Sequence, residues 1–490
     1  MYNIERLNIC RPFMKDLAVL LFLIPSAFLL LSLFKESLID DVFITLSYSK
    51  NLFDFGVWGM HPLIKSNSAT SPLNVLLLAI VGGLIKNYTL GVILLTTILI
   101  AFQYYLFRKL FTSSCSYTIS IILIIILLSN PLLLSTIGLE SFLYLLLLST
   151  SIYFFKLNNT IFLGISLGLL TLTRGDGIIL FLLVMFYKRK NIQWVKKICT
   201  IYLLTISPWL LFSWINLGSI VPITFFIKLK QNWPENISYA LGPLLYIKRI
   251  PIESLISLIP IIMLTIFIIL NRFVFNAEEK ILLIFSIIYY LLYSLMGVPP
   301  YHWYYAPPMF GIIIVLGFQL SKYFSNRNGV LKFYQFLFIP GPSIVGLALL
   351  IYLNGGFSFA ESPIHTNCAK MLEYKEVANW LNQNLTRDSK IIIEYEIGTI
   401  NYYSKAIFFD DFSANDLLVD KIIRKSFNKN KLLYHLITLN FLWYKSTDML
   451  NVDSCRKLLT LNENNLKSTI KSWNYSTKWT KQRKIYFGDR

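Results

Sequence analysis

The feature that most constrains this chain is a succession of apolar runs joined by short polar or basic connections. They fall at 17–34, 90–107, 117–134, 141–155, 161–173, 177–187, 198–217, 254–270, 281–296, 308–320 and 336–353. A helix that spans a bilayer needs about 20 largely apolar residues. Backbone inside hydrocarbon must also satisfy its own hydrogen bonds. The expected fold class is therefore mainly α, a polytopic transmembrane helical protein. Only 14% of the 490 residues are charged, against about 25% in soluble domains. The first run is too long for a signal-peptide core and lacks a small-residue cleavage site, so it reads as an uncleaved anchor. One further run, 73–85, is short.

Basic residues set the expected orientation. The net charge of +19 sits mainly between apolar runs, which fits topology and lipid head groups and excludes nucleic acid as the natural partner. Arg6, Arg11 and Lys15 place the N-terminus in the cytoplasm. The loops around Lys109, 188–197, 271–280 and 321–332 belong on the same side. All fit only if 73–85 does not cross. That segment is then re-entrant or interfacial, leaving about eleven spans and an extracytoplasmic C-terminus in a bacterial cytoplasmic membrane. With this parity "SLIDDVF", "STIGLES", "TRGDG", "NLGSIVPITFFIKLK" and "GVPPYHWYYAPP" all reach the outer face.

After 354 the composition changes. "YKEVANWLNQN" has helical spacing, "KIIIEYEIG" and "AIFFDDF" read as strands, and "TINYYSK" as a short helix between them. The expected organisation is a membrane domain, 1–354, whose first outer loop is 35–72, and a small α/β extracytoplasmic domain, 355–490. Cys368 and Cys455 both fall in the second and would be able to pair outside the cytoplasm.

Several outer residues carry chemistry. Asp40 and Asp41 precede a helix-like stretch, where an aspartate can cap backbone N–H groups. Equally, a positioned carboxylate can take a proton from an acceptor hydroxyl. Lys228, Lys230, Lys248 and Arg249 break the charge rule. They can meet lipid phosphates or clamp a leaving phosphate. Arg174 and Asp176 lie between two short runs and should pair, since a lone charge in a span costs about 2.5–3.5 kcal/mol. His302 stands among aromatics that an interfacial belt explains; it can also bind a phosphate or sugar hydroxyl at a cavity mouth. Glu140 can cap the following helix or hold an acceptor hydroxyl.

The landmarks form an ordered series: "DDVFITLSYSKNLFDFG", "ATSPLNVLLLA", "GLESFLYLLL", "LTRGDG", "GSIVPITFFIKLK" and "EIGTINYYS". This series resembles the GT-C glycosyltransferases, in particular the bacterial branch similar to mycobacterial arabinofuranosyltransferases and other cell-envelope sugar transferases. Ser47, Asn74, Gly175 and Ile223 depart from that branch's motifs. The resemblance implies the GT-C fold and transfer of a sugar from a polyprenyl-phosphate donor to an envelope glycan or lipid acceptor. It implies a catalytic Asp in the first outer loop, with Asp40 favoured over Asp41. Lys228, Arg174 and His302 are then assigned to the donor phosphate. Glu140, Asp176, Thr224 and Tyr304 are assigned to substrate. The residues define no metal site and no certain cofactor, and members of the fold differ in their use of a divalent metal. A transporter or flippase of a lipid-linked glycan is the rival class, but it needs polar groups along a path through the bilayer, and here they cluster on one face. A non-catalytic envelope scaffold is the third.

Overall fold

The computed structural model describes residues 2–111, 115–229, 231, 237–271, 274–325, 359, 361–387, 389–410, 457–477, 479 and 483–489. Ten of the eleven apolar runs lie on helices. The run 336–353, the boundary at 354, Lys230 and Cys455 lie outside the described residues.

The chain begins with α1 (Tyr2–Leu33) and then α2 (Asp40–Phe55). Both acids sit in the first turn of α2, where the helix dipole favours negative charge. The helix stops at Gly56, whose φ of 67° lies in the left-handed region. Pro72 opens α3 (Pro72–Ile85), a position where its missing N–H is not needed. This helix has 14 residues, about 21 Å at 1.5 Å each and short of a ~30 Å hydrocarbon core. Leu76, Ile80 and Leu84 are exposed on one stripe, and α3 also packs on α2 and on α4 (Tyr88–Leu110). Its length suits a re-entrant or interfacial element.

The remaining bundle helices are α5 (Ser116–Ser129), α6 (Pro131–Leu134), α7 (Ser141–Lys156), α8 (Thr160–Thr173), α9 (Ile178–Tyr187), α10 (Ile192–Leu217), α11 (Ile223–Lys228), α12 (Gly242–Arg249), α13 (Pro251–Ser257), α14 (Ile259–Asn271), α15 (Ala277–Met296) and α16 (Ala306–Ser325). Among the described residues, five helices are long and apolar enough to cross a bilayer alone. Counting α13 and α14, bent by 43°, as one span makes six. Several others are shorter apolar helices, so the spans legible as runs are often built from half-length pieces. The "TRGDG" segment is a tight turn between α8 and α9 rather than a kink in one helix. There the chain doubles back so closely that a Cβ on Gly177 would lie 2.8 Å from the Leu170 carbonyl.

The C-terminal region folds as a five-stranded sheet of order β2-β1-β3-β5-β4. Its strands are β1 (Lys390–Ile393), β2 (Ile407–Phe409), β3 (Lys457–Thr460), β4 (Ser468–Tyr475) and β5 (Arg483–Asp489). β1 is parallel to β2 and β3, while β3–β5 and β4–β5 are antiparallel. The helix α17 (Met371–Asn384) precedes the sheet, and α18 (Gly398–Tyr403) connects β1 to β2. This strand–helix–strand unit is the one read from the sequence; the antiparallel β4–β5 pair was not anticipated. A shared apolar cluster fixes the domain on the first loop: Tyr48, Trp58 and Met60 pack with Tyr374, Val377 and Ile400. The start of α2 is thus enclosed between the helical bundle and the sheet domain.

Candidate active site

The tight turn after α8 supplies the most heavily bonded charge in the bundle. Arg174 donates to Glu140 Oε1 at 2.7 Å and to Asp176 Oδ2 at 2.9–3.0 Å through two nitrogens. Tyr289 and Tyr293, one turn apart on α15, donate to the same Asp176 oxygen at 2.8 and 2.6 Å. Arg174 and Glu140 are nearly inaccessible, at 8% and 5% exposure. Burying such charges is tolerable only with this degree of pairing. The paired reading of Arg174 and Asp176 therefore describes the geometry. Glu140 stands at the N-cap position of α7, yet its side chain makes no capping bond; it turns to Arg174 instead.

Lys228, at the end of α11, lies over three aromatic rings. Its Nζ is 4.8 Å from the Tyr301 centroid and 5.5 Å from those of Trp303 and Tyr304. Ring faces attract an ammonium, and Lys228 also donates to the Tyr304 hydroxyl. Burial works against the charged form, but Tyr304, Asp41 and Tyr301 outweigh it and hold the lysine above its ordinary range. Tyr304 also lies beside Arg174, 5.3 Å from the guanidinium carbon to the ring centre. The two cationic groups thus border one site.

The two aspartates face different partners. Asp41 is half-buried, and no hydrogen bond from another described residue reaches its carboxylate. Burial raises its pKa; Lys228 opposes the rise and Glu140 adds to it. It therefore belongs electrostatically to the Lys228–Arg174 cluster. Asp40 is 3% exposed and points to the sheet domain. Its Oδ2 accepts from Gly398 N–H and its Oδ1 from Thr399 N–H, each at 2.7 Å. These amides open α18, whose own N-cap residue Ile397 makes no side-chain cap bond. Asp40 does cap a helix, but one 358 residues away. Beside it, Glu396 accepts from Cys368 N–H at 2.9 Å and from the Tyr374 hydroxyl. Burial raises Asp40 to about 6 despite the Thr399 and Gly398 bonds. Burial and then the charge of Asp40 raise Glu396 to about 7.

Three other residues meet partners that lie far from them in the chain. His302 is completely enclosed, with Nε2 3.3 Å from the Ser135 carbonyl; it is not at a cavity mouth. The Thr224 hydroxyl donates to Ser68 O at 2.9 Å, tying α11 to the "SATSPLN" loop. Ser47 meets Asn401 Nδ2 at 3.2 Å, so it faces the docked domain. Residues not singled out from sequence are Glu396, Asn367, Tyr289, Tyr293, Tyr301 and Trp303. The i, i+4 tyrosine spacing in "YYLLYSLM" was an available signal, since such residues share a helix face. Glu396 heads the landmark "EIGTINYYS", but its partners Cys368 and Tyr374 are distant in sequence. Among the described residues, no group of three or more His, Cys, Asp or Glu is placed to hold a metal ion.

No family model matches the sequence, and no curated protein matches it significantly. Solved structures do resemble it. ArnT from Cupriavidus metallidurans bound to undecaprenyl phosphate superposes over 97% of both chains, with a TM-score of 0.60 at 13% identity. The apo state of the same protein covers 98% of both, with 0.59 at 12%. A mycobacterial arabinofuranosyltransferase, AftD, aligns over 96% of this chain but 40% of its own length, with 0.48 at 9%; that is too distant to carry weight. At these identities the likeness concerns the fold: this chain is a multi-pass membrane protein with the GT-C fold.

Proposed function

We propose that this protein transfers a sugar from a polyprenyl-phosphate donor to an envelope glycan or lipid acceptor, on the outer face of a bacterial cytoplasmic membrane. The observation that carries the reading is the opposition of Asp41, a half-buried carboxylate with a raised pKa, to Lys228, a cation held on ring faces. Arg174 is committed to Glu140 and Asp176. Lys228 has no carboxylate within ion-pair distance among the described residues, which leaves it for an incoming phosphate.

The chemistry follows from those positions. The acceptor oxygen attacks the anomeric carbon, its proton passes to Asp41, and the bond from that carbon to the phosphate oxygen breaks. The departing phosphate keeps the electron pair, and Lys228 stabilises the charge. A carboxylate with a raised pKa is a stronger base than an exposed one. This division of roles assigns the base to Asp41 and not to Asp40, the acid favoured by the family resemblance. A cavity of about 360 Å³ supports a place for the isoprenoid. It is lined by Leu132, Tyr246, Ile261, Ile287 and Ile312, with Tyr305 at its wall. Tyr305 adjoins Tyr304 in the turn that also carries the lysine's aromatic rings. ArnT, which has a similar fold, has been solved bound to undecaprenyl phosphate.

Binding of polyprenyl phosphate to the purified protein tests the reading. A charge-assisted hydrogen bond is worth about 1.5–3 kcal/mol, so Lys228→Ala should weaken binding by roughly tenfold to a hundredfold, with Lys228→Arg intermediate. Equal affinity for wild type and Lys228→Ala would remove the phosphate from this site. Orientation is tested separately in a cysteine-free background. Lys190→Cys, in the basic loop between α9 and α10, should be protected from an impermeant reagent added outside. Asn464→Cys, exposed beside β4, should react. The reverse pattern would place the site on the cytoplasmic face.

A further inference from the structure

We propose that Asp40 is a positioning residue: together with Glu396 it locks the sheet domain onto α2 and thereby sets the direction of Asp41. The positioning part rests on the reading of Asp41 as the base. The lock itself does not.

Eight hydrogen bonds converge on this junction. Both Asp40 oxygens are taken by the first two amides of α18. The Asp40 N–H donates to Asn367 Oδ1 at 3.3 Å, and the Asn367 side chain also bonds Glu396. Glu396 in turn accepts from Cys368 N–H and Tyr374. Asn401, on α18, donates to Ser47 Oγ and to the Met60 carbonyl at 2.9 Å. The approach of the two backbones leaves no room for a side chain at 398: a Cβ there would lie 2.1 Å from the Asp40 carbonyl oxygen. In an α/β unit, the amides at the start of a helix that follows a strand commonly receive a ligand's anionic group. Here the membrane domain supplies that anion from its own chain. Asp40 and Asp41 are consecutive in the first turn of α2, so their side chains diverge by about 100°. Fixing the first against α18 fixes the azimuth of the second toward Lys228.

The pair is also sensitive to pH. Asp40 and Glu396 share one enclosed pocket, and the other titratable groups facing it are Asp41, Cys368, Tyr374 and Tyr395, with Arg483 reaching Cys368 from β5. Burial raises Cys368 and both tyrosines, so they stay protonated at neutral pH. Two ionised carboxylates in that pocket repel, and the docked state favours one shared proton. Both groups lie above their ordinary values of 3.8 and 4.5, so the docked domain binds more protons than the free one. Docking is then strongest at low pH and declines as pH rises through about 6 to 7.

Hydrogen–deuterium exchange on the full-length protein in detergent reads the lock without substrate. Asparagine has one acceptor oxygen, so Asp40→Asn must lose an amide bond. Protection of the segment containing Gly398 and Thr399 should fall by about tenfold or more, while Asp41→Asn does not lower it. In wild type, protection corrected for intrinsic exchange should decline as pH rises from about 4 to about 7; in Glu396→Gln, with one titrating charge fewer, the decline should be smaller and complete at lower pH. Unchanged protection in Asp40→Asn overturns the lock. An unshifted pH profile in Glu396→Gln overturns the shared proton. For positioning, Asp40→Asn should lower kcat for transfer with the donor KM unchanged; a loose lock with wild-type kcat overturns that role. If Asp41→Asn transfers normally, the assignment of the base fails while the exchange result is untouched.

Discussion

Asp41→Asn is expected to transfer sugar at about one hundredth of the wild-type rate or less, the scale of lost general-base catalysis. Asparagine is nearly isosteric with aspartate, and no hydrogen bond from another described residue depends on the Asp41 carboxylate. Folding and donor binding should therefore stay near wild type. The pH profile gives an independent reading. A base works only when ionised, so transfer falls as pH drops through its pKa. Burial and Glu140 raise Asp41, so the acid limb of wild-type transfer should lie above the ordinary aspartate value of about 3.9. That limb should be missing from the residual activity of Asp41→Asn. Initial rates across pH, beside a thermal unfolding midpoint for each protein, check both expectations. A near-normal rate in Asp41→Asn would return the role of base to another group.

The largest effect on stability is expected at Arg174. Arg174→Leu strands two enclosed carboxylates, Glu140 and Asp176, that now share one guanidinium. Removing one partner of a buried ion pair costs about 3–5 kcal/mol, enough to lower the unfolding midpoint by many degrees or abolish folding. Arg174→Lys should fall between, because one ammonium cannot reproduce the fork that meets both acids. Tyr293→Phe removes a hydroxyl that donates to Asp176 Oδ2 and accepts from Arg174 Nη2 and should cost about 1–3 kcal/mol. Thermal unfolding of the three variants in one detergent measures the order. An Arg174→Leu midpoint equal to wild type would show that the network does not hold the turn between α8 and α9.

The helical framework was legible because hydrophobic periodicity and length report directly on burial in lipid. Ten runs became helices, and the short run at 73–85 became a half-length one. Local chemistry was legible too: Pro72 opens α3, and Arg174 pairs with Asp176 two residues on. What failed depended on partners far away in the chain. Local chemistry presents Asp40 and Asp41 as equivalent neighbours and the family resemblance favours Asp40, whereas the partners that separate them, Gly398 and Thr399 for one and Lys228 for the other, are tertiary. The aromatics around His302 suggest an interfacial belt or the mouth of a cavity. Its ring is instead enclosed against Ser135, a contact with no local signature. Lys228 could be found from the charge rule it breaks. Its aromatic surroundings, Tyr301, Trp303 and Tyr304, were present in "YHWYY", but their convergence on α11 is tertiary.

The central claim is that Asp41 and Lys228 carry sugar transfer from a lipid phosphate, with Asp40 holding the domain in place. The direct measurement offers purified wild type, Asp41→Asn and Asp40→Asn a panel of polyprenyl-phosphate sugars, radiolabelled in the sugar, with membrane glycan and lipid acceptors. The account predicts that with one donor wild type moves label into acceptor and releases polyprenyl phosphate. Asp41→Asn should bind that donor as tightly yet transfer about a hundredfold more slowly or worse, and Asp40→Asn should be impaired together with loosened docking. Label that moves equally well in Asp41→Asn, or that wild type moves from none of the donors, would contradict it.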